Sequence, residues 1–462
     1  MFTSIMSVLL LFSPTIAPTT TTTANPDAAA IDRVVEEYRK EAGVPGAAVA
    51  VTRGTTVVRV AGYGRTPDGT AVSERTTMAV ASVSKSFTAL AVVQLAEAGR
   101  LRLDDPVRDH LPEFAPADPR AGRITVRHLL DQTSGLSDAT STVPRVDTLR
   151  EAVAALRDAT LASDPGAKWQ YHNPNFQVAA RLVEVVSGET FADYLRRHVF
   201  EPLRMSDSST ADTERDLPPS ARGHLKVLGG AVPLPEPPAF GNGSGGVLSS
   251  ARDMASWLVA QNTGTSIATP EGIAAAHTRS AGSYGLGWFV GTTGSGARLI
   301  DHGGDLFTST AYQALLPDSG YGIAVMANTG TQYGDAQALG DRLVALVEGR
   351  PFEPVSDPFL VVDVVLLALA AGVVALAVRG VVRARRHARR PWWRLLPLLL
   401  PVLLASTIHL VVGFLYRGRD VSWQQAAYLY PTFTVLLLVT AVACAVVLVV
   451  GVAHRARRPA AP

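Results

Sequence analysis

Three long apolar segments near the end of the chain constrain its fold more than any other feature. They cover about residues 359–378, 395–416 and 432–453. A transmembrane helix needs about 20 predominantly apolar residues, and the interior of a bilayer admits only helices or closed barrels. The sequence therefore predicts a membrane domain with three transmembrane helices over residues 353–462, preceded by a water-exposed body.

Arginine residues are distributed unevenly around the predicted spans. Seven arginines lie between the first two spans, whereas the second loop carries only Arg417 and Arg419. Positively charged loops mark the cytoplasmic side, so the first helix should run inward and the body should face outward. Ionisable residues inside spans are functional candidates. For Asp363, however, a headgroup contact is favoured, and for His409 a hydrogen bond to a neighbouring helix.

Residues 1–25 are predicted to be a signal peptide followed by a threonine-rich spacer. The apolar run at residues 5–12 is too short to cross a bilayer, and five threonines occupy residues 19–23. No Lys or Arg precedes the apolar run, although secretory signals ordinarily begin with one. A disordered leader is therefore the alternative, but export agrees with the outward orientation of the body.

The body of the protein is acidic. From Phe359 onward the chain has 12 basic and 2 acidic residues, which leaves 30 basic against 38 acidic residues upstream. Binding to phosphate backbones needs a basic face, so nucleic acid is excluded as a partner. The single cysteine, Cys444, lies in the last apolar segment, and the body therefore contains no disulfide.

Residues 26–352 are predicted to form one α+β domain. Period-two apolar patterns indicate strands near both ends of the body, and helical, loop-rich sequence lies between them. This arrangement predicts one antiparallel sheet with flanking helices and an inserted helical subdomain. The predicted strands are 47–52, 56–61, 284–290, 298–301, 310–316 and 322–327, and the main predicted helices are 30–42, 82–98, 175–187 and 334–348.

A serine and a lysine open the predicted helix 82–98. Ser82 lies at its positive end, where the helix dipole favours an ionised hydroxyl. Lys85 is three residues further along, on the same face, and its amine can reach the Ser82 oxygen. Taken alone, the pair favours the simpler interpretation of an N-cap serine beside a surface lysine.

Two further short motifs follow in the chain. Tyr171-His172-Asn173 precedes a predicted helix, and His302-Gly303-Gly304 ends a predicted strand, where glycines allow a ligand to approach the backbone closely. In this order and spacing, the three motifs resemble the signature of the serine β-lactamase and penicillin-binding superfamily, in particular its class C-like, esterase-like branch. Other segments strengthen the resemblance, which covers about residues 30–350: HLLDQTSGL at 128–136, PLRM at 202–205, GGVLSS at 245–250 and YGLGW at 284–288.

The resemblance implies a mechanism through an acyl-enzyme. Ser82 would attack a carbonyl group, and Lys85 and Tyr171 would share the proton transfer, with the immediate base left open between them. Asn173 would hold Lys85 and bind the substrate amide. The backbone N–H groups of Ser82 and Asp305 would form the oxyanion hole.

The resemblance also bears on the substrate. His302 replaces the lysine of the Lys-Thr-Gly motif of true β-lactamases, so a substrate carboxylate should be held less firmly and penicillin hydrolysis disfavoured. His302, Gly303, Gly304 and Asp305 are expected at the substrate. No cofactor or metal is expected, because the histidines lack ligand spacing. A proline-rich segment at 216–240 should form an irregular flap near the site.

The leading hypothesis is therefore a multi-pass serine hydrolase of the cell membrane whose catalytic domain faces outward. Its substrate would be a small molecule or peptide with a scissile amide or ester: a D-amino-acid peptide, a β-lactam-like amide or a small ester. Two alternatives remain. The body could capture an acyl ligand at Ser82 without turnover and signal through the helices, or the helices could assemble cell-envelope partners.

Overall fold

The computed structural model describes residues 26–138, 145–264, 267–355, 357, 359–386, 396–415 and 422–456. The expected signal peptide and spacer lie outside these residues. A six-stranded antiparallel sheet forms the centre of the body, in the order β2-β1-β11-β10-β9-β8. Strands from both ends of the body build it, as predicted. Its members are β1 (Gly46–Arg53), β2 (Thr56–Gly64), β8 (Phe289–Thr292), β9 (Arg298–Asp305), β10 (Thr310–Leu316) and β11 (Tyr321–Ala327).

Five shorter strands lie between β2 and β8. β3, β7 and β4 form a small sheet in that order, and β5 and β6 form a hairpin. The hairpin occupies part of the segment predicted to be an irregular flap, so that expectation was wrong for these strands. The strands are β3 (Met78–Ala79), β4 (Ser209–Thr210), β5 (Gly223–Val227), β6 (Gly230–Leu234) and β7 (Val247–Ser249).

Helices cover both faces of the central sheet. α1 and α10 pack on one face, and α2 and α8 on the other. The described helices of the body are α1 (Ala28–Glu41), α2 (Ser84–Glu97), α3 (Val107–His110), α4 (Val126–Leu130), α5 (Leu149–Ala154), α6 (Asn173–Ser187), α7 (Phe191–Leu195), α8 (Ala251–Thr263), α9 (Pro270–Ala276) and α10 (Asp335–Val347).

The sequence of strand β1 is almost continuously apolar because both faces of the strand are buried. Its side chains alternate between two hydrophobic cores because successive residues of a strand point to opposite faces. Ala48 and Ala50 belong to the core around Phe87 of α2, whereas Val49 and Val51 belong to the core around α1 and α10. Both faces are buried, so neither carries the polar half of an alternating pattern.

Two helices after the body are long and apolar enough to span a membrane. They are the 24 residues Leu360–Arg383 within α11 (Leu360–Arg386) and the 23 residues Pro431–Ala453 within α14 (Pro431–Ala456). Between them lie α12 (Leu399–Leu415) and the short α13 (Trp423–Leu429).

The prediction of a third span was wrong for the residues that the structure describes. α12 has 17 residues, fewer than the 20 or so that a span needs. The predicted segment began at 395, but proline disfavours helical continuation through its own position and the one before it. Pro397 accordingly precedes the helix, which starts only at Leu399.

The two apolar helices α11 and α14 run in the same direction. The Asp363 carboxylate accepts a hydrogen bond from Thr432 Oγ1 at 2.6 Å, so the first turns of α11 and α14 lie side by side. Further along, Gly380 of α11 faces Val447 of α14.

Candidate active site

Ser82 lies in a tight 3-10 turn, Ala81–Val83, that leads into α2. The helix itself begins at Ser84, two residues later than predicted. Ala81, immediately before Ser82, has φ of +49°, in the left-handed region that an alanine rarely adopts. Such strain costs on the order of 1–3 kcal/mol and is typical of functional sites. The strained turn leaves Ser82 half-buried at the surface of the body, and nothing in the sequence indicated it.

The Lys85 side chain is fully buried beneath this turn. Its Nζ donates to Ser82 Oγ at 3.0 Å, to Asn173 Oδ1 at 2.8 Å and to the Ser244 carbonyl oxygen at 2.7 Å. An ammonium group has three protons to donate, and these acceptors can take all of them. The predicted proximity of Lys85 to Ser82 and Asn173 is thus present, whereas the contribution of Ser244 was missed.

The Tyr171 ring also lies next to the amine. Lys85 Nζ is 4.8 Å from the centre of the Tyr171 ring and 5.7 Å from that of Phe176. Aromatic faces attract a cation at this distance, so the rings stabilise the charged form of the amine. The structure therefore gathers Ser82, Lys85, Tyr171 and Asn173 around one buried nitrogen atom.

The start of α6 holds the Tyr171-His172-Asn173 motif in place through Gln132. Gln132 Oε1 accepts from the His172 backbone N–H at 3.1 Å and from Asn175 Nδ2 at 2.6 Å. His172 Nδ1 lies 2.6 Å from Asp138 Oδ1. Gln132 has φ of +63°, a second left-handed residue beside the site. The sequence singled out the HLLDQTSGL segment but gave Gln132 no role.

Strand β9 passes directly against the Ser82 turn at Gly304. A Cβ atom on Gly304 would lie 2.3 Å from the Val80 carbonyl oxygen and 3.2 Å from the Ser82 backbone nitrogen. Glycine is therefore required for β9 to approach this closely. Gly303 points to the opposite face, where a Cβ would meet only the end of the Gln337 side chain, at 3.2 Å. Asp305, the last residue of β9, is exposed at the edge of the site.

His302 is buried, with 1% of its surface exposed. The Nδ1–H group donates to the Gly303 carbonyl oxygen at 2.6 Å, and Nε2 accepts from the Tyr284 hydroxyl at 2.9 Å. Burial, with a smaller contribution from the charge of Lys85, lowers the pKa of His302 to about 3. The ring is thus neutral and held in one tautomer. The sequence predicted an imidazole at the substrate, and this stays a prediction; in the structure the ring lies beside Tyr171, with the ring centres 6.1 Å apart.

A buried polar chain supports α2 from below. Trp257 Nε1 donates to Gln313 Oε1 at 2.9 Å, and Gln313 Nε2 donates to Ser86 Oγ at 2.9 Å. The Ser86 hydroxyl in turn donates to the Val83 carbonyl oxygen at 2.7 Å, which closes the turn that carries Ser82. Buried, fully paired polar chains of this kind rigidify their surroundings. The sheet therefore fixes the position of Ser82 through α2.

Comparison with known proteins gives a consistent result. The beta-lactamase family pattern matches residues 31–347. Protein flp of Staphylococcus aureus (strain N315) is 28% identical over 329 residues, covering 66% of this chain and 63% of flp, so less than two thirds of that relative is matched. Penicillin-binding protein 4 of Amycolatopsis lactamdurans is 32% identical over 320 residues, covering 64% of this chain and 84% of the relative.

The fold is also found among solved structures. The octameric penicillin-binding protein homologue from Pyrococcus abyssi superposes with a TM-score of 0.62 at 27% identity, covering 74% of this chain and 81% of that one. Fold, motif order and family pattern agree over the whole body. The chain therefore belongs to the beta-lactamase family, among the serine hydrolases that resemble penicillin-binding proteins.

Proposed function

We propose that this protein is a membrane-attached, outward-facing serine hydrolase that cleaves an amide or ester through an acyl-enzyme on Ser82. The observation that carries the proposal is the 3.0 Å contact between Lys85 Nζ and Ser82 Oγ, made by a lysine with no exposed surface. A buried amine beside a half-exposed hydroxyl is an arrangement that activates a nucleophile.

In the acylation step the Ser82 oxygen forms a bond to the substrate carbonyl carbon, and its proton passes to Lys85 in the neutral amine form or to Tyr171 in the phenolate form. Asn173 orients the amine through its Oδ1 atom. The leaving amine or alcohol then takes the proton as its bond to the carbonyl carbon breaks. Water attacks the ester on Ser82 by the same route and restores the hydroxyl.

Developing negative charge on the carbonyl oxygen needs hydrogen-bond donors close to Ser82. The backbone N–H groups of Ser82 and Asp305 are our candidates, because the glycine at 304 lets β9 lie against the Ser82 nitrogen. Removing one donor in comparable sites costs about 3–4 kcal/mol of transition-state stabilisation.

The buried His302 favours a substrate without a carboxylate at that position. A lysine there would supply a permanent positive charge, whereas His302 is neutral and its two ring nitrogens are bound to Gly303 and Tyr284. We therefore rank small esters and neutral amides, including D-amino-acid peptides without a free C-terminal carboxylate, above β-lactams. Membership of the class C-like, esterase-like branch is part of this proposal.

Membrane attachment rests on the two apolar helices α11 and α14. Together with the arginine-rich sequence after α11, they favour a body on the outer side of the cell membrane. Residues 26–352 would then be the hydrolase domain and residues 353–462 the membrane domain. The net negative charge of the body disfavours nucleic acid as a partner.

Labelling with a fluorescent phosphonate tests whether Ser82 is activated. We expect the full-length protein to be labelled and the Ser82→Ala variant, matched for expression and folding, to remain unlabelled. Equal labelling of both would contradict the assignment. Rapid loss of an acyl label from an ester or β-lactam probe indicates turnover, whereas persistent label indicates a sensor that captures its ligand.

A substrate panel tests the ranking of substrate classes. With p-nitrophenyl esters, nitrocefin and D-Ala-D-Ala peptides, we expect measurable short-chain ester cleavage and poor nitrocefin turnover. Fast nitrocefin hydrolysis without esterase activity would overturn the argument from the neutral His302.

A further inference from the structure

The β5–β6 hairpin has a tip that is unusual for a water-exposed turn. Residues 228–234 read Leu-Gly-Gly-Ala-Val-Pro-Leu, without a charged or hydrogen-bonding side chain. Leu228 is 44% exposed and Val232 is 50% exposed. Turns in water are ordinarily built from polar residues as well as glycine, so this composition indicates different surroundings.

The tip lies at the level of the outer turns of the membrane helices. The Leu228 backbone N–H donates to Asp363 Oδ2 at 2.9 Å. Asp363 is the fourth residue of α11 and lies inside the span that begins at Leu360. At 1.5 Å per residue, this contact is about 5 Å below the outer end of the span.

Aromatic side chains mark the same level. Tyr428 of α13 donates its hydroxyl to the Pro235 carbonyl oxygen at 2.7 Å, directly after β6. The Phe307 ring packs edge-on against Tyr428, with the ring centres 6.2 Å apart. Trp423 lies in the small apolar cluster of α12, α13 and α14. Tyr and Trp are enriched where a bilayer meets water.

The base of the hairpin is firmly joined to the body. Lys226 Nζ lies 3.2 Å from both carboxylate oxygens of the buried Asp335 and 3.9 Å from the centre of the Tyr333 ring. The His224 backbone N–H donates to the carbonyl oxygens of Thr308 and Asn328, both at 2.9 Å. A displacement of the tip would therefore displace the body as well.

From these contacts we infer that the β5–β6 hairpin is a second membrane-binding element, whose tip inserts among the outer-leaflet lipids beside α11. The inference depends on the membrane attachment proposed above. Apolar side chains at interfacial elements are buried about 5–10 Å into the boundary of headgroups and acyl chains, which matches the depth of the Leu228 contact.

Insertion of this hairpin places the Ser82 site at the bilayer surface. β9 ends at Asp305, and Phe307 follows two residues later against Tyr428. Two residues of extended chain cover at most about 7 Å. The edge of the site that carries Asp305 therefore lies next to the membrane, and substrates that partition into lipid reach it without leaving the interface.

A fluorescent probe at the tip tests the inference on the full chain. Cys444 is replaced by alanine, and an environment-sensitive dye is attached at Val232→Cys or at the control Val57→Cys. The two valines are equally exposed, at 50% and 52%. Val57, however, lies near Arg53, at the opposite end of the sheet from the hairpin.

In reconstituted lipid vesicles we expect the emission at residue 232 to shift to the blue and to be quenched by lipids brominated on their acyl chains. The probe at residue 57 should keep its aqueous spectrum. Thermal unfolding of both variants, compared with that of the parent protein, reports that the body is folded. An aqueous spectrum at residue 232, or a blue shift without quenching by bromolipid, overturns the inference; the second result indicates contact with a protein surface.

The same samples separate this inference from the proposed function. If the protein floats with the vesicles while residue 232 stays aqueous, only the hairpin assignment fails. If the protein does not float with the vesicles, the membrane attachment itself fails. Loss of hydrolysis or of Ser82 labelling in the parent protein refutes the proposed chemistry and leaves the probe measurement unaffected.

Discussion

Replacement of Gly304 by alanine should separate β9 from the Ser82 turn. The added Cβ would lie 2.3 Å from the Val80 carbonyl oxygen, 3.0 Å from the Ala81 Cβ and 3.2 Å from the Ser82 nitrogen. These atoms belong to the backbone or to the first side-chain atom, so none can rotate away. The strand or the turn must move by about 1 Å before the atoms reach ordinary contact distance.

A movement of this size acts on the oxyanion hole, because the two proposed donors lie on opposite sides of the contact. Ser82 is on the turn, and Asp305 is on the strand next to Gly304. If the movement removes one donor from its working position, kcat should fall about 10²- to 10³-fold, equivalent to about 3–4 kcal/mol. Overpacking should also lower the free energy of unfolding by about 1–3 kcal/mol.

Gly303→Ala is the matched control, since it adds the same methyl group one residue earlier on the other face of β9. Its Cβ meets only Gln337 Oε1, at 3.2 Å, the far end of a flexible side chain. We expect Gly303→Ala to keep kcat for p-nitrophenyl acetate within about threefold, because no group of the site has to move. The assay pairs kcat with thermal unfolding of each variant in detergent. A folded Gly304→Ala protein with the parent kcat, or equal losses in both variants, would refute the reasoning.

Two further substitutions test separate parts of the structure. Lys85→Met keeps the side-chain volume but leaves Ser82, Asn173 and Ser244 without the shared donor. The rates of phosphonate labelling and ester cleavage should therefore fall about 10²- to 10⁴-fold. Labelling at the parent rate would contradict a role for the amine. Glu236 accepts from the Phe307 and Thr308 N–H groups, and burial raises its pKa from 4.5 to about 7. The native protein therefore keeps a proton that the unfolded chain releases, so this stability is fully present below about pH 4.5 and is lost as the pH rises through 7. In urea unfolding, the free energy of unfolding of the parent should fall by about 3 kcal/mol relative to that of Glu236→Gln over this pH interval. Parallel dependence of the two unfolding free energies on pH would contradict a raised pKa for the buried carboxyl group.

Much of the fold follows from periodicity and order along the chain. The strands at both ends of the body were predicted to meet in one antiparallel sheet, and they do. Two of the three predicted segments form helices long and apolar enough to span a membrane among the described residues, because a long apolar run has few other stable structures. The third span was predicted from the apolar composition of 395–416 alone. That prediction did not take into account the effect of Pro397 on where the helix starts.

The sequence by itself determined the proximity of Ser82 and Lys85, because residues three positions apart at the start of a helix lie on the same face. Only the tertiary structure decided what surrounds them. The Ser244 carbonyl oxygen reaches Lys85 from 159 residues away, and Tyr284 fixes the neutral His302 across 18 residues. Such contacts depend on how separate elements pack, and local propensity carries no information about them. The same holds for the left-handed backbone at Ala81, which is stable only because the packed sheet and helix around it offset its cost.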